Sequence, residues 1–129
     1  MTPTNKPTPA ELEILGVLWK RERATVREIH EAIERRRPTA YTTVLKLMQI
    51  MNEKGLVKRD EKAKAHVYKP AFSQRQTQKT LVGDLLDKAF NGSALKLVQH
   101  VLETKPSSPE ELAEIRKLIA EAEARGGKQ

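Results

Sequence analysis

The chain contains no cysteine. That absence removes disulfides, zinc ribbons, thiolate copper sensing and thiol catalysis together. Aromatic residues are nearly as scarce, with two Phe, two Tyr and one Trp among 129 residues. Leu, Ile, Val and Met must therefore fill any core, a composition suited to packed helices. No stretch approaches the roughly 20 apolar residues of a membrane span, and the opening Met1-Thr2-Pro3-Thr4-Asn5-Lys6-Pro7 lacks the apolar run of a signal peptide. A soluble, cytoplasmic protein is the expectation. Catalytic constellations are missing as well: His30, His66 and His100 are scattered, and Asp84 and Asp87 share a helix without an accompanying base. There is no HExxH arrangement and no glycine-rich phosphate loop. Neither enzyme activity, nor a metal, nor another cofactor is expected.

What the chain does have is unevenly placed positive charge. The formal net charge is +7, with 15 Lys and Arg against 9 Asp and Glu in residues 1–72, but 9 against 8 in residues 73–129. A basic half attracts polyanions by releasing their counterions, and nucleic acid is the commonest such partner.

Four segments carry a hydroxyl residue followed three positions later by Glu or Gln: Thr8 with Glu11, Thr25 with Glu28, Ser73 with Gln76, and Ser108 with Glu111. In each, the hydroxyl can accept from a first-turn amide while the longer side chain reaches back, so each predicts a helix start. The first helix is expected from about Pro9 to Lys20, with Leu12, Leu15, Leu18 and Trp19 as its apolar stripe and Ile14 beside it. The second, Val26 to Arg36, should bury Val26, Ile29 and Ile33. A third follows Arg37-Pro38-Thr39 and runs to about Lys54, with Tyr41, Val44, Leu45, Met48 and Met51 inward; Gly55 stops it.

The rhythm then changes. Leu56 to Glu61 and Ala65 to Lys69 alternate around a charged tip, with Val57 and Val67 as inward residues of an antiparallel hairpin that Pro70 ends. Three helices followed by a charged hairpin is the order of a winged helix-turn-helix. Beyond Ser73 three further helices are expected, their apolar stripes including Leu81, Leu85, Leu86 and Phe90, then Leu97, Val98 and Val101, then Leu112, Ile115, Leu118 and Ile119. The tail Arg125-Gly126-Gly127-Lys128-Gln129 should fray. Some fifty residues with three such stripes form a marginal core alone. They either fold back on the first half or pair with a second chain, and pairing buries more area. The expected architecture is thus mainly α with a small β-hairpin. Residues 1–72 form the winged helix DNA-binding domain, and residues 73–129 a helical dimerisation domain.

The third helix is the one whose start would enter a DNA major groove. Thr39, Thr42, Thr43 and Lys46 stand there off the apolar stripe; Thr can donate, accept or touch a thymine methyl, and Lys46 can reach guanine or phosphate. Tyr41 either closes the core or lays its hydroxyl on a phosphate. Arg36 and Arg37 (beside Arg35) precede that helix, and Arg59, Lys62 and Lys64 (with Lys58) surround the hairpin, two cationic groups placed to touch phosphates.

These residues resemble the penicillinase repressor (BlaI/MecI) family of bacterial regulators. The resemblance is carried by Pro9-Ala10-Glu11-Leu12-Glu13-Ile14-Leu15 with Trp19, Ala24-Thr25-Val26-Arg27-Glu28-Ile29, Ala40-Tyr41-Thr42-Thr43-Val44, Lys54-Gly55-Leu56-Val57 and His66-Val67-Tyr68. It continues through Asp84 to Ser93. It implies a homodimer on a palindromic operator, repressing genes for β-lactam resistance or cell-envelope stress, with a membrane-bound sensor metalloprotease as partner. In the best-known members an Asn-Phe bond in helix five is cut; the aligned residues here are His100-Val101, a departure that puts this cleavage in question. The copper-responsive branch with its Cys-rich tail is excluded. Two other readings stay open on the residues: an interaction adaptor whose basic surface meets an acidic partner, and an architectural protein that coats DNA without sequence preference.

Overall fold

The computed structural model describes residues 6–62 and 66–126. Contacts divide the chain into two compact units between Asp84 and Leu85. The first unit contains α1 (Pro9–Arg21), β1 (Ala24–Thr25), α2 (Val26–Glu34), α3 (Tyr41–Lys54), β2 (Val57–Asp60) and β3 (Val67–Pro70). Helix α4 (Gln74–Phe90) starts in this unit and ends in the second, which continues with α5 (Ala94–Thr104) and α6 (Pro109–Gly126).

Local hydrogen bonds explain where the helices begin. The Glu11 amide donates to Thr8 Oγ1 at 3.2 Å while the Thr8 amide donates to Glu11 Oε1 at 2.9 Å. The same reciprocal pair joins Thr25 to Glu28 (3.1 and 2.8 Å) and Ser73 to Gln76 (3.0 and 2.8 Å). Ser108 Oγ accepts from the Glu111 amide at 3.0 Å, and Ser93 Oγ caps α5 through the Lys96 amide at 3.2 Å. Helix α3 has no side-chain cap at its start and ends on Gly55, whose φ of 79° is the left-handed conformation that glycine alone takes without cost.

Several details differ from the sequence reading. A third strand, β1, pairs antiparallel with β3 and gives the sheet order β1-β3-β2. It is two residues long, and the chain enters it through Glu22, whose φ of 73° is a conformation no sequence pattern announces. In β3 the inward residue is Tyr68 rather than Val67, because Tyr68 sits opposite both Ala24 and Arg59 in the ladder and closes the core. Pro70 is the last residue of the central strand β3, opposite Val57 and beyond the Val67–Tyr68 stretch that β1 covers, so its missing amide removes no pair with β1. In α1, Ile14 belongs to the core and Leu12 and Trp19 lie at its margin; in α3, Tyr41 is outside it. Helix α6 extends through Arg125 and Gly126; Gly127, Lys128 and Gln129 lie outside the described residues, as does Lys64 of the wing.

The core of the first unit is one cluster. Ile14, Leu15 and Leu18 of α1, Val26, Ile29 and Ile33 of α2, and Val44, Met48 and Met51 of α3 meet Ala24, Leu56, Val57 and Tyr68 from the sheet and its entry. Each large member contributes about 1.5–3 kcal/mol by leaving water. Trp19 Nε1 donates to the Phe72 carbonyl at 3.0 Å, fastening the segment after β3 to α1. One charged residue is buried with the core: Glu11, 2% exposed, accepts from Lys54 Nζ at 2.7 Å and so ties the start of α1 to the end of α3. Burial pushes the Glu11 pKa upward, but the hydrogen bonds from Lys54 and Thr8 together with the Lys54 charge outweigh it, and the carboxyl ends below its ordinary value.

The second unit is different in kind. Neither α5 nor α6 buries a residue fully. Its inner contacts are local: the Phe90 and His100 rings lie 5.7 Å apart, and the Gly92 amide, in a left-handed turn, donates to the Leu86 carbonyl at 2.9 Å.

The Glu11–Lys54 pair gives a stability test. Glu11→Gln removes the charge but keeps the size, leaving a largely buried ammonium without its counterion. A loss of about 1–3 kcal/mol is expected by urea unfolding at pH 7, where Glu11 is ionised in folded and unfolded chains alike. A carboxyl with a lowered folded pKa contributes stability above its unfolded pKa and loses it as pH falls through the folded one. The gap between wild type and variant should therefore shrink as pH drops below about 4.5. A gap independent of pH would show that the ion pair does not supply the difference.

Candidate nucleic-acid interface

Helix α3 is divided lengthwise. Val44, Met48 and Met51 recur at helical spacing and are at most 1% exposed, while Thr42, Thr43 and Lys46 point to solvent. Gln49 and Ile50, one turn further along, extend that exposed surface and were missing from the sequence-based set. Their signal was available: both lie off the Val44–Met48–Met51 stripe. Among the described residues Thr42, Thr43 and Lys46 have no side-chain hydrogen-bond or ion-pair partner, so nothing in the unit competes for them.

The start of α3 is held from α2. His30 Nε2 lies 2.7 Å from the Thr39 carbonyl and 2.7 Å from Glu34 Oε2. Both neighbours are acceptors, so this nitrogen carries the hydrogen. The same ring meets Tyr41 edge-on, with centroids 5.7 Å apart and planes at 81°. Tyr41, 43% exposed, is thus braced by a neighbouring ring rather than by the core, and its ring is presented at the helix start. The Thr39 hydroxyl donates to the Arg37 carbonyl at 3.1 Å and shapes the last residues of the turn.

The arginines of that turn are less free than their exposure suggests. Arg37 Nη2 lies 2.6 Å from Glu13 Oε1, and Arg36 Nη1 lies 3.9 Å from Glu13 Oε2. Glu13 on α1 therefore offsets one of the positive charges here and braces the α2–α3 turn. On the wing, Arg59 Nη2 donates to His66 Nε2 across the hairpin at 3.1 Å. Arg23 Nη1 approaches Asp60 Oδ2 at 3.7 Å. The Lys62 amide donates to Asp60 Oδ1 at 3.0 Å, and the residue itself is exposed.

Between α2, α3 and the wing lies a cavity of about 330 Å³ whose walls include Thr25, Arg27, Tyr41, Leu45 and His66. Arg27 and His66 were not in the sequence-based set, because only the fold brings the first turn of α2 beside the wing. At that turn the Glu28 carboxyl is held below its ordinary pKa, first by the Thr25 amide, against slight desolvation, and then by the nearby Arg21 charge. Among the described residues no group of His, Cys, Asp or Glu is arranged to hold a metal ion.

The residues expected to pair two chains divide by exposure. Leu85, Val98, Val101, Leu118 and Ile119 are exposed, whereas Leu81, Leu86, Phe90, Leu97, Leu112 and Ile115 are half-buried. The His100–Val101 bond lies inside α5, and both residues border a cavity of about 460 Å³ between α5 and the start of α6.

Residues 7–121 match the family model described as penicillinase repressor. The transcriptional regulator BlaI of Mycobacterium tuberculosis is 34% identical over 119 residues, covering 91% of this chain and 85% of the relative. The methicillin resistance regulatory protein MecI of Mammaliicoccus sciuri is 22% identical over 116 residues, covering 90% and 94%. A solution structure of the DNA-binding domain of the repressor BlaI superposes with a TM-score of 0.49 at 20% identity, over 59% of this chain and 93% of that one.

The His30 clamp is testable without any partner. His30→Ala should lower stability by about 1–2 kcal/mol, from one lost hydrogen bond and one ring contact, and His30→Gln, which retains a donor, should recover part of it. Thermal unfolding by circular dichroism measures both. The Tyr41 ring resonances should move in either variant; unchanged resonances would mean that the two rings do not meet.

Proposed function

Since this chain belongs to the penicillinase repressor family, whose members are transcriptional repressors, we propose that it is a sequence-specific DNA-binding repressor acting as a homodimer on a palindromic operator. The observation that carries this reading is the division of α3: a buried back fixes the helix, and an unoccupied Thr42–Thr43–Lys46 face is left at its start. A face of this composition suits base edges, with Thr for either hydrogen-bonding sense and for the thymine methyl, and Lys46 for guanine or phosphate. Tyr41, Arg27 and the wing residues Arg59, Lys62 and His66 flank it as phosphate contacts, which set register without reading sequence. Arg36 and Arg37 have a different first task in this reading, bracing the turn against Glu13.

Pairing is the part played by the second unit. Leu85, Leu95, Val98, Val101, Leu118 and Ile119 are between 43% and 78% exposed. Apolar surface of that extent on so small a unit requires cover, and a twin copy supplies a matching face. Two recognition helices on one dimer gain avidity on an inverted repeat. The resistance-regulator names of the relatives support β-lactam resistance or cell-envelope genes as targets. Release falls to a partner sensor protease; a cut at His100–Val101 requires local unwinding of α5, since a helical bond does not fit a protease cleft.

Selection from a random duplex pool, followed by fluorescence anisotropy on the enriched site, tests the reading. An inverted repeat should emerge, with affinity falling steeply as salt rises. Thr43→Ala should cost about 1–3 kcal/mol on the selected site and relax the preference at one position. Lys62→Ala should weaken all duplexes alike and reduce the salt slope by about one. Equal affinity for selected and random duplexes would defeat the proposal in favour of a coating or adaptor role. Sedimentation at micromolar concentration should give twice the chain mass, and Leu118→Glu should return it to the monomer value; a wild-type monomer would rule pairing out.

A further inference from the structure

On the other flank of α2 lies a second basic feature that DNA reading leaves unused. Helices α1 and α2 enclose an open cavity of about 390 Å³ with Gly16, Val17 and Ala32 as its floor. Its rim is formed by Lys20 and Arg21 from the last turn of α1 and by Arg35 and Arg36 from the end of α2. Arg21 is partly neutralised by Glu28 at 3.2 Å and Arg36 more distantly by Glu13 at 3.9 Å. Lys20 and Arg35 have no carboxylate partner among the described residues. Cations in a last helical turn complement the helix dipole, which accounts for Lys20 and Arg21 on their own helix. It does not account for cations from two helices converging on a common hollow.

The floor adds an independent observation. Gly16 is in the interior of α1, where glycine is a poor helix former. A β-carbon there would meet nothing within 4 Å, so no close approach of another backbone requires the glycine. The space beside it is open and belongs to the hollow. Position on the helix separates this groove from the DNA face: Ala32 lies about 200° around α2 from His30 at 100° per residue, and His30 is the residue that faces the start of α3.

We infer that the α1–α2 groove is a docking site for a carboxylate-rich polypeptide segment, its acidic side chains meeting the cationic rim and its backbone lying over Gly16 and Ala32. Charge complementarity selects an anion, and the small apolar floor selects a flexible chain that can enter. A stiff duplex can only lie across the mouth. Such a site lets the protein engage an acidic partner protein while α3 is occupied.

The test uses the full chain and a fluorescein-labelled glutamate decapeptide as probe, read by anisotropy and by amide chemical-shift mapping. The expected result is that the amides of Gly16, Val17, Lys20, Ala32 and Arg35 move. Lys20→Glu with Arg35→Glu should weaken binding at least about tenfold. Gly16→Leu changes no charge but fills the hollow, and should weaken the peptide severalfold while leaving duplex affinity unchanged. Shifts confined to α3 and the wing, or full peptide affinity in Gly16→Leu, would overturn the inference. So would duplex DNA moving the groove amides and displacing the peptide, which would make the groove a phosphate contact. Failure to find a preferred operator leaves all of these readings intact, so the two proposals stand or fall separately.

Discussion

Three side chains on one stripe of α3 organise the first unit. Val44, Met48 and Met51 can leave water only by packing against α1 and α2, and that packing fixes the rotation of α3 about its own axis. Once the rotation is set, Thr42, Thr43 and Lys46 have no choice but solvent. The ends of the helix are then secured by polar contacts of opposite character. At its start His30 holds the Thr39 carbonyl and the Tyr41 ring; at its end Lys54 reaches the buried Glu11. A helix fixed in rotation and at both ends presents its outer face with little conformational freedom left to lose on binding, which is the condition for discrimination between partners.

Charge in this unit is partitioned rather than merely abundant. Glu13 engages Arg36 and Arg37, and Glu28 engages Arg21, so the two arginines that the sequence places just before α3 serve first as braces. Exposed pairs of this kind contribute little stability. Their effect is on where, among the described residues, cations remain without a carboxylate partner, including Lys46 and Lys62 on the side of α3 and the wing and Lys20 and Arg35 on the far flank of α2. Helix α2 separates two basic surfaces, one with hydroxyls interspersed at the start of α3, the other a hollow with a small-residue floor.

The second unit poses the complementary problem. Its helices begin where hydroxyl caps place them, yet α5 and α6 have no fully buried residue. Area removed from water is what holds helices together, and here too little is removed within one chain. The same apolar stripes that give the unit its helices leave it dependent on a further surface. No helix among the described residues is long and apolar enough to cross a bilayer.

Much of this was legible in the order of residues. The reciprocal Thr–Glu and Ser–Gln pairs located helix starts because capping is a contact over three positions, and Gly55 located a helix end because a left-handed turn selects glycine. The stripe of Val26, Ile29 and Ile33 identified the buried face of α2 in the same way, since a helical period is itself local. What failed in the sequence were contacts between distant segments. Strand β1 exists only because Ala24 and Thr25 find β3 more than forty positions away, and that pairing made Tyr68 rather than Val67 the inward residue. His30 on Tyr41, Glu13 on Arg37, Lys54 on Glu11 and the α1–α2 hollow depend likewise on how helices cross. The sequence determined by itself which segments are helical, which faces are apolar and which half is basic, because those follow from neighbours a few residues apart. Only the tertiary structure decided which cations are already engaged and which surfaces stay open, because that depends on distances between side chains brought together by packing alone.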